Sequence, residues 1–196
     1  MFPNPVSRVR PGALVTEMDD CREMLILVDD NDREIAFKDK ESCHLIPAAL
    51  HRAFSIFIVN SQGEMLIHKR QRTKMTWPGY WTNACCSHPR KGEALNEAAR
   101  RRLTEELGIA CDVEPLFKFH YKADYDATYG EHEVDHVFLG IYDGDVKPNI
   151  DEIEEHRFMS IDRLMDDLKA RSDEYTPWFI MALPGVLERL HALGKV

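Results

Sequence analysis

The sequence predicts a mixed α/β sandwich folded as one domain. Three observations carry that prediction. Apolar runs come in pairs around short polar turns early in the chain, one strongly helix-forming segment stands in the middle, and further apolar runs lead into helical segments at the end. At 196 residues the chain is long enough for one well-packed core and short for two. Apolar residues at 44% and charged residues at 30% give a globular balance rather than a disordered one.

Residues 1–20 read as a loose N-terminal arm, because Pro, Gly and Arg recur there. The folded domain is expected over 21–196. Its first apolar runs, 24–29 and 34–38, flank a polar cluster at 29–33, which is a hairpin pattern. A second hairpin is clearer: residues 53–60, a turn at Ser61-Gln62-Gly63, then 64–70. Residues 92–108 predict a helix, with good helix formers throughout, acids at the start and Gly108 placed to stop it. Strands are expected within 115–125, within 132–143 and around 156–160. Ser160 is placed to cap a helix over 161–171. Thr176-Pro177 is placed to open another, which Pro184 should interrupt.

The formal charge of −9 provides no basic field to gather nucleic acid or an anionic membrane. An anionic substrate must then be held by local cations and metal. The start, through Pro11, has prolines where a signal peptide needs an apolar run, and no later stretch is long enough to span a bilayer. The five cysteines, an odd number with two adjacent, are expected to be reduced thiols in a cytoplasmic protein.

The residues that could carry chemistry are densest around 77–93. Trp77-Pro78-Gly79 makes a tight, rigid turn. In extended chain Cys86 and His88 project to one face and Cys85 to the other. Pro89 ends that strand, and a helix follows whose dipole can favour thiolate. Arg102 and Glu106 lie four apart on one helical face. They are either an ordinary ion pair or a carboxylate for Mg²⁺ beside a guanidinium for phosphate oxygens. Glu131 and Glu133 share a face of a strand; forced together in a cleft they need a cation, and on an exposed face they are merely solvated. His44 and His51 cannot form a helical pair with Pro47 between them, and alone they mean little. With His88, Glu131 and Glu133 they make a set of three imidazoles and two carboxylates, which suits Zn²⁺, Mn²⁺ or Fe²⁺.

In chain order, these features match one family. Residues 92–109 resemble a Nudix box, with two departures: Arg102 stands where hydrolytic members carry the Glu of Arg-Glu, and Ser87 where the box opens with Gly. A hydrolase uses several carboxylates to hold the metals that activate water. Exchanging one for Arg removes a metal ligand and adds a phosphate ligand, so the pocket should grip a diphosphate rather than cleave it. The run Thr82-Asn83-Ala84-Cys85-Cys86-Ser87-His88-Pro89, then Glu131-His132-Glu133, then Pro177-Trp178 resemble the type I isopentenyl-diphosphate isomerases. The resemblance covers roughly residues 20–185.

The resemblance implies a single-domain Nudix-type mixed sheet flanked by helices. It implies an enzyme that interconverts isopentenyl and dimethylallyl diphosphate in isoprenoid biosynthesis. It makes Cys86 the catalytic thiol and Glu133, assisted by Tyr121, the carboxylate across the substrate. His44, His51, His88, Glu131 and Glu133 become ligands of one tightly bound divalent metal, Mn²⁺ or Zn²⁺. Glu106 becomes a ligand of the Mg²⁺ that enters with the diphosphate, and Lys40, Arg70, Lys74 and Arg102 hold its phosphates. Trp178 lies over the hydrocarbon tail. Its π face would stabilise the tertiary cation left by alkene protonation, by about 2 kcal/mol when desolvated. The partner is then a small isoprenoid diphosphate, with no nucleic acid and no membrane, and the chain a monomer or weak homodimer. Two rivals are a Nudix hydrolase, against which Arg102 and the Cys86–His88 pair speak, and a non-catalytic metal-binding protein, which leaves Cys86, Trp178 and the cations without purpose.

Overall fold

Strand β3 (His51–Val59) organises the sheet because both of its edges are used. The structure is a computed structural model that describes residues 23–195; the arm expected over 1–20 lies outside the described residues. Along one edge β8 (Gly130–Ile141) runs parallel to β3 for its whole length, from His51 opposite Glu133 to Val59 opposite Ile141. The other edge is shared. β1 (Met24–Val28) pairs at His51, β6 (Cys85–Ser87) at Phe54 to Ile56, and β4 (Glu64–Arg70) at Val59. Outward from these, β2 (Glu34–Asp39) pairs β1, β7 (Val113–Asp124) pairs β8, and β5 (Trp81–Thr82) and β9 (Ile153–Ser160) pair β4. Among the described residues this makes one nine-stranded mixed sheet.

Alternation divides the sheet into two faces. Phe57 and Val59 of β3, with Val137 and Leu139 of β8, meet the buried stripe of α4 (Pro177–Ala192) and α3 (Ile161–Arg171). Phe54, Ile56 and Ile58, with Phe138, meet Ala98, Ala99, Leu103 and Leu107 of α2 (Leu95–Leu107) on the opposite face. α2 ends as expected. Gly108 sits at φ 64°, and its N–H closes the last turn onto the Thr104 carbonyl at 2.9 Å.

Three local expectations change. The second hairpin is closed by the Asn60 side chain, whose Oδ1 accepts from the Gln62 and Glu64 amides at 3.0 and 2.9 Å. Its strands pair only at the root, Val59 with Met65, and β4 then runs along β9. The turn signal is local, whereas β3, apolar on both faces, is claimed by β8 and β6. Ser160 precedes α3 but makes no side-chain capping bond. Pro184 does not interrupt α4, which continues through it to Ala192. A proline inside a helix costs about 3 kcal/mol or more. Here Ile180, whose carbonyl loses its donor, is an exposed residue, and Phe179, Ala182, Leu183 and Val186 stay packed on the buried side.

Candidate active site

Three histidines converge where α1 (Lys40–His44), the start of β3 and the end of β6 meet. The turn at 45–50, closed by the Ala49 N–H on the Cys43 carbonyl at 2.9 Å, brings the His44 and His51 ring centroids to 5.0 Å. Each of these rings has its Nδ1 on a backbone carbonyl, His44 on Lys40 at 2.6 Å and His51 on Ala49 at 2.8 Å. With Nδ1–H donating there, both Nε2 atoms face inward as the nitrogens free to ligate. His51 Nε2 lies 3.2 Å from His88 Nε2, and both approach Glu133 Oε1, at 3.3 and 3.1 Å. Ligand atoms of His44, His51, His88 and Glu133 all fall within 4.8 Å of one another.

Glu131 stands beside this group, outside the mutual 4.8 Å set. Its Oε2 is 2.9 Å from His44 Nε2, yet that oxygen and His88 Nδ1 are both buried without a hydrogen-bond partner. Buried polar atoms are seldom left so. Converging imidazole nitrogens beside two carboxylates, with Glu131 Oε2 left unpartnered, fit a divalent cation, which would satisfy them together. Burial holds His88 down to about 4 despite its bond to Glu133, so its ring is neutral, as a ligand must be.

Cys86 is enclosed by donors and acceptors. Its thiol donates to Asn83 Oδ1 at 3.0 Å, and Trp178 Nε1–H donates to its sulfur at 3.0 Å. The Asn83 amide is fixed in turn on the Ile56 and Cys85 carbonyls, both at 3.0 Å. Ser55 Oγ reaches Cys86 Sγ at 3.7 Å and Asp135 Oδ2 at 2.8 Å. Burial, with the Asp135 carboxyl adding to it, pushes the Cys86 thiol up to about 12. The expectation that the α2 dipole acts on Cys86 is thereby corrected: α2 packs with Cys85 on one face of the sheet, and Cys86 lies on the other. Tyr121 donates its hydroxyl to Glu133 Oε2 at 2.6 Å. Burial and that carboxylate raise the Tyr121 phenol well above its usual range. Burial resists ionisation of Glu133, but its interactions with His51 and His88 outweigh it and bring the carboxyl well below the usual range.

Cys86, His88, Tyr121, Glu131, Glu133 and Trp178 line one pocket of about 90 Å³. Lys40, Arg70, Lys74 and Arg102 line it too. Each cation has an internal partner. Lys40 pairs Glu23 at 2.8 Å, Lys74 pairs Glu152, and Arg102 meets Glu106, Glu105 at 3.0 Å and Glu152 at 3.2 Å. Arg70 donates to the Thr76 and Trp77 carbonyls at 2.9 and 3.1 Å, and its guanidinium lies 5.2 Å from the Trp178 ring centroid. Glu106 stays behind Arg102 and does not line the pocket. Sequence reasoning missed Ser55, Thr76, Asp135 and Glu152, and gave Asn83 no role beyond its place in the motif run. Asp135 had a visible signal, since it continues the Glu131, Glu133 alternation. Glu152 had none, because it reaches Lys74 and Arg102 from a distant connection.

Three comparisons with known proteins bear on this pocket. The NUDIX domain family matches residues 49–179. The chain is 43% identical to isopentenyl-diphosphate Delta-isomerase 1 of Aromatoleum aromaticum over 165 residues, 84% of this chain and 93% of that protein. It is 42% identical to isopentenyl-diphosphate Delta-isomerase 1 of Photorhabdus laumondii, over 80% of this chain and 90% of that one. Against isopentenyl-diphosphate Delta-isomerase I of Clarkia breweri the identity is 39%, over 86% and 66% respectively. Among solved structures, a protein of Deinococcus radiodurans superposes with TM-score 0.62 at 21% identity, covering 76% of this chain and 90% of that one. A MutT NUDIX hydrolase of Burkholderia pseudomallei superposes with TM-score 0.56 at 26% identity, covering 70% and 98%.

Proposed function

The chain belongs to the isopentenyl-diphosphate Delta-isomerase family of Nudix-fold enzymes, and we propose that it moves a double bond by adding a proton on one side of the substrate and removing one on the other. The observation that carries this is the placement of two proton-handling groups in one pocket: Cys86 from β6 and the Tyr121–Glu133 pair from β7 and β8. β6 and β8 lie along opposite edges of β3, so the two groups reach the pocket from different sides.

An unactivated alkene is a weak base, so its protonation needs a positioned acid away from water. The Tyr121–Glu133 pair delivers a proton to the terminal carbon of isopentenyl diphosphate. The π electrons form the new C–H bond and leave a tertiary cation. Cys86 then takes a proton from the carbon next to the oxygen-bearing one, and that C–H pair becomes the new double bond. In the free protein the surroundings favour the protonated thiol of Cys86 and the ionised carboxylate of Glu133. That is the state left at the end of a forward turnover and the starting state of the reverse one. Trp178 does two jobs. Its N–H holds the sulfur, and its ring walls the hydrocarbon end of the pocket.

Lys40, Arg70, Lys74 and Arg102 bind the diphosphate, exchanging internal carboxylate and carbonyl partners for phosphate oxygens. A divalent cation on His44, His51, His88, Glu131 and Glu133, Mn²⁺ or Zn²⁺ by donor type, would supply positive charge beside the acid, and Mg²⁺ arriving with the substrate and held by Glu106 would neutralise phosphate. The free thiols Cys43, Cys85, Cys86 and Cys111 support a cytoplasmic setting. Among the described residues no helix is long and apolar enough to cross a membrane.

The test is incubation of the purified protein with isopentenyl diphosphate and Mg²⁺ in D₂O, read by NMR. Dimethylallyl diphosphate with solvent deuterium in a methyl group is expected, and reversal should label the carbon beside the oxygen-bearing one stereospecifically. Glu133→Gln should block labelling. Isomer without deuterium would exclude the protonation scheme, and inorganic phosphate without isomer would restore the hydrolase reading.

A further inference from the structure

We infer that Thr76 is a positioning residue that ties the loop gripping the diphosphate to the carboxylate Glu131 at the metal centre. The inference rests on the metal and phosphate roles proposed above and adds a residue and a connection to them. Thr76 is buried and donates its hydroxyl to Glu131 Oε1 at 2.8 Å. That bond divides the work of the carboxylate. Oε1 is occupied by the loop, and Oε2 is turned to His44 Nε2 at 2.9 Å with no hydrogen-bond partner of its own. Glu131 lies outside the mutual 4.8 Å group formed by His44, His51, His88 and Glu133. Its contribution to a cation is therefore decided by how the carboxylate is rotated, and the Thr76 hydroxyl fixes that rotation.

The loop carrying Thr76 is itself held in one shape. Arg70 grips it at four points: its side chain donates to the Thr76 and Trp77 carbonyls, its N–H donates to the Tyr80 carbonyl at 2.9 Å, and its carbonyl accepts from Gly79 N–H at 3.0 Å. Trp77 sits at φ 44°, a left-handed conformation that a bulky residue adopts only when its surroundings impose it. Its ring is fixed edge-on against Trp178 at 5.3 Å. Lys74 and Met75, just before Thr76, line the pocket. A cation that orders Glu131 thus orders the Thr76 hydroxyl and the segment presenting Lys74. Reciprocity requires the converse, so holding the loop strengthens the cation site.

The test uses the full chain, with Thr76→Val and Thr76→Ala to remove the hydroxyl and Thr76→Ser to keep it. Zn²⁺ retention is measured by competition with a chelator, alongside thermal unfolding to confirm that each variant is folded. Wild type and Thr76→Ser are expected to hold Zn²⁺ equally. Whichever hydroxyl-free variant folds should release it about tenfold or more readily, the size of effect seen when the outer partner of a metal ligand is removed. With metal in excess, that variant should show a raised KM for isopentenyl diphosphate and a smaller change in kcat. Hydroxyl-free variants that retain Zn²⁺ as wild type does would overturn the role of Thr76 and leave the metal site standing, as would failure of Thr76→Ser to restore retention. A wild type that holds no tight metal would remove the site itself, and the role of Thr76 with it.

Discussion

The two faces of β8 each carry histidine and acid chemistry, and only one of them is a candidate for catalysis. On one face His136 Nε2 meets Asp32 Oδ2 at 2.8 Å, where Arg52 Nε at 2.7 Å and Lys118 Nζ at 3.0 Å also converge on the carboxylate. Asp32, at φ 63°, holds the first hairpin turn onto the sheet this way. Three basic side chains surround one acid. On the other face Glu131, Glu133 and Asp135 stand among three imidazoles, and atoms of Glu131, Asp135 and His88 are buried without partners. Burial, with the Glu133 charge behind it, holds the Asp135 carboxyl well above its usual range. Residue types do not separate the two clusters. Completed hydrogen bonding marks the structural one, and its absence marks the one built to receive something.

The comparison is sharpest at the two adjacent thiols of β6, which repeat it on a smaller scale. Cys86→Ala should lower kcat about 10²- to 10⁴-fold, the range of a positioned proton-transfer group, while Cys85→Ala leaves substantial activity. Equal losses in two folded variants would erase the distinction between faces. Next in size is the histidine pair. His88→Ala should lose the tight metal together with activity, read by elemental analysis, whereas His136→Ala should retain both. Metal-free wild type that turns over fully after chelation would break this half of the argument.

Arg102→Glu restores the usual Nudix carboxylate beside Glu105, Glu106 and Glu152. It should raise KM for isopentenyl diphosphate roughly tenfold or more, since a charge-assisted bond is worth about 1.5–3 kcal/mol and repulsion adds to the loss. Unchanged KM would show that Arg102 serves only the internal ion cluster. The smallest effect belongs to the satisfied face. Burial opposes ionisation of Asp32, but its bonds from Arg52 and Lys118 win and hold its carboxyl below the usual value of 3.8. The stabilisation is therefore present above that ordinary value and is lost as pH falls through the depressed folded one. Asp32→Asn should lower stability by about 1–2 kcal/mol at neutral pH, flatten the acid limb of the Tm profile and leave kcat unchanged. A variant whose Tm still falls as steeply in acid would place the acid sensitivity elsewhere.

Much of the site was legible because period-2 alternation is a local rule. It separates Cys86 from Cys85 and puts Glu131 with Glu133, and the helical rule does the same for Arg102 and Glu106. The polar surroundings were less visible. Ser55 is a hydroxyl within an otherwise apolar strand, and its value depends on Asp135 meeting it from β8, a pairing of distant segments. Thr176 opens α4 as expected, but its hydroxyl bonds Thr82 at 2.8 Å rather than capping the helix. Pro184 misled for a related reason: the rule concerns the helix alone, and tertiary packing on the buried side decided the outcome. The thiolate expectation failed because a dipole acts only where a helix end points, and sequence proximity to α2 did not give its side of the sheet.

Because β3 is paired with β8 along its length and with β1, β6 and β4 at three places on its other edge, most of its amides should open only when the sheet does. Their hydrogen exchange should therefore proceed only through global unfolding, at the slow end of the range for this chain. His51 and Ser55 belong to that strand, and Glu133 and Cys86 are paired directly to it. The proposed reaction centre thus shares the fate of the most protected segment and should not fray before it. On heating, loss of turnover should coincide with loss of the fold rather than precede it. Any earlier loosening will register first in the loop that carries Lys74, as weaker substrate binding at an unchanged catalytic centre.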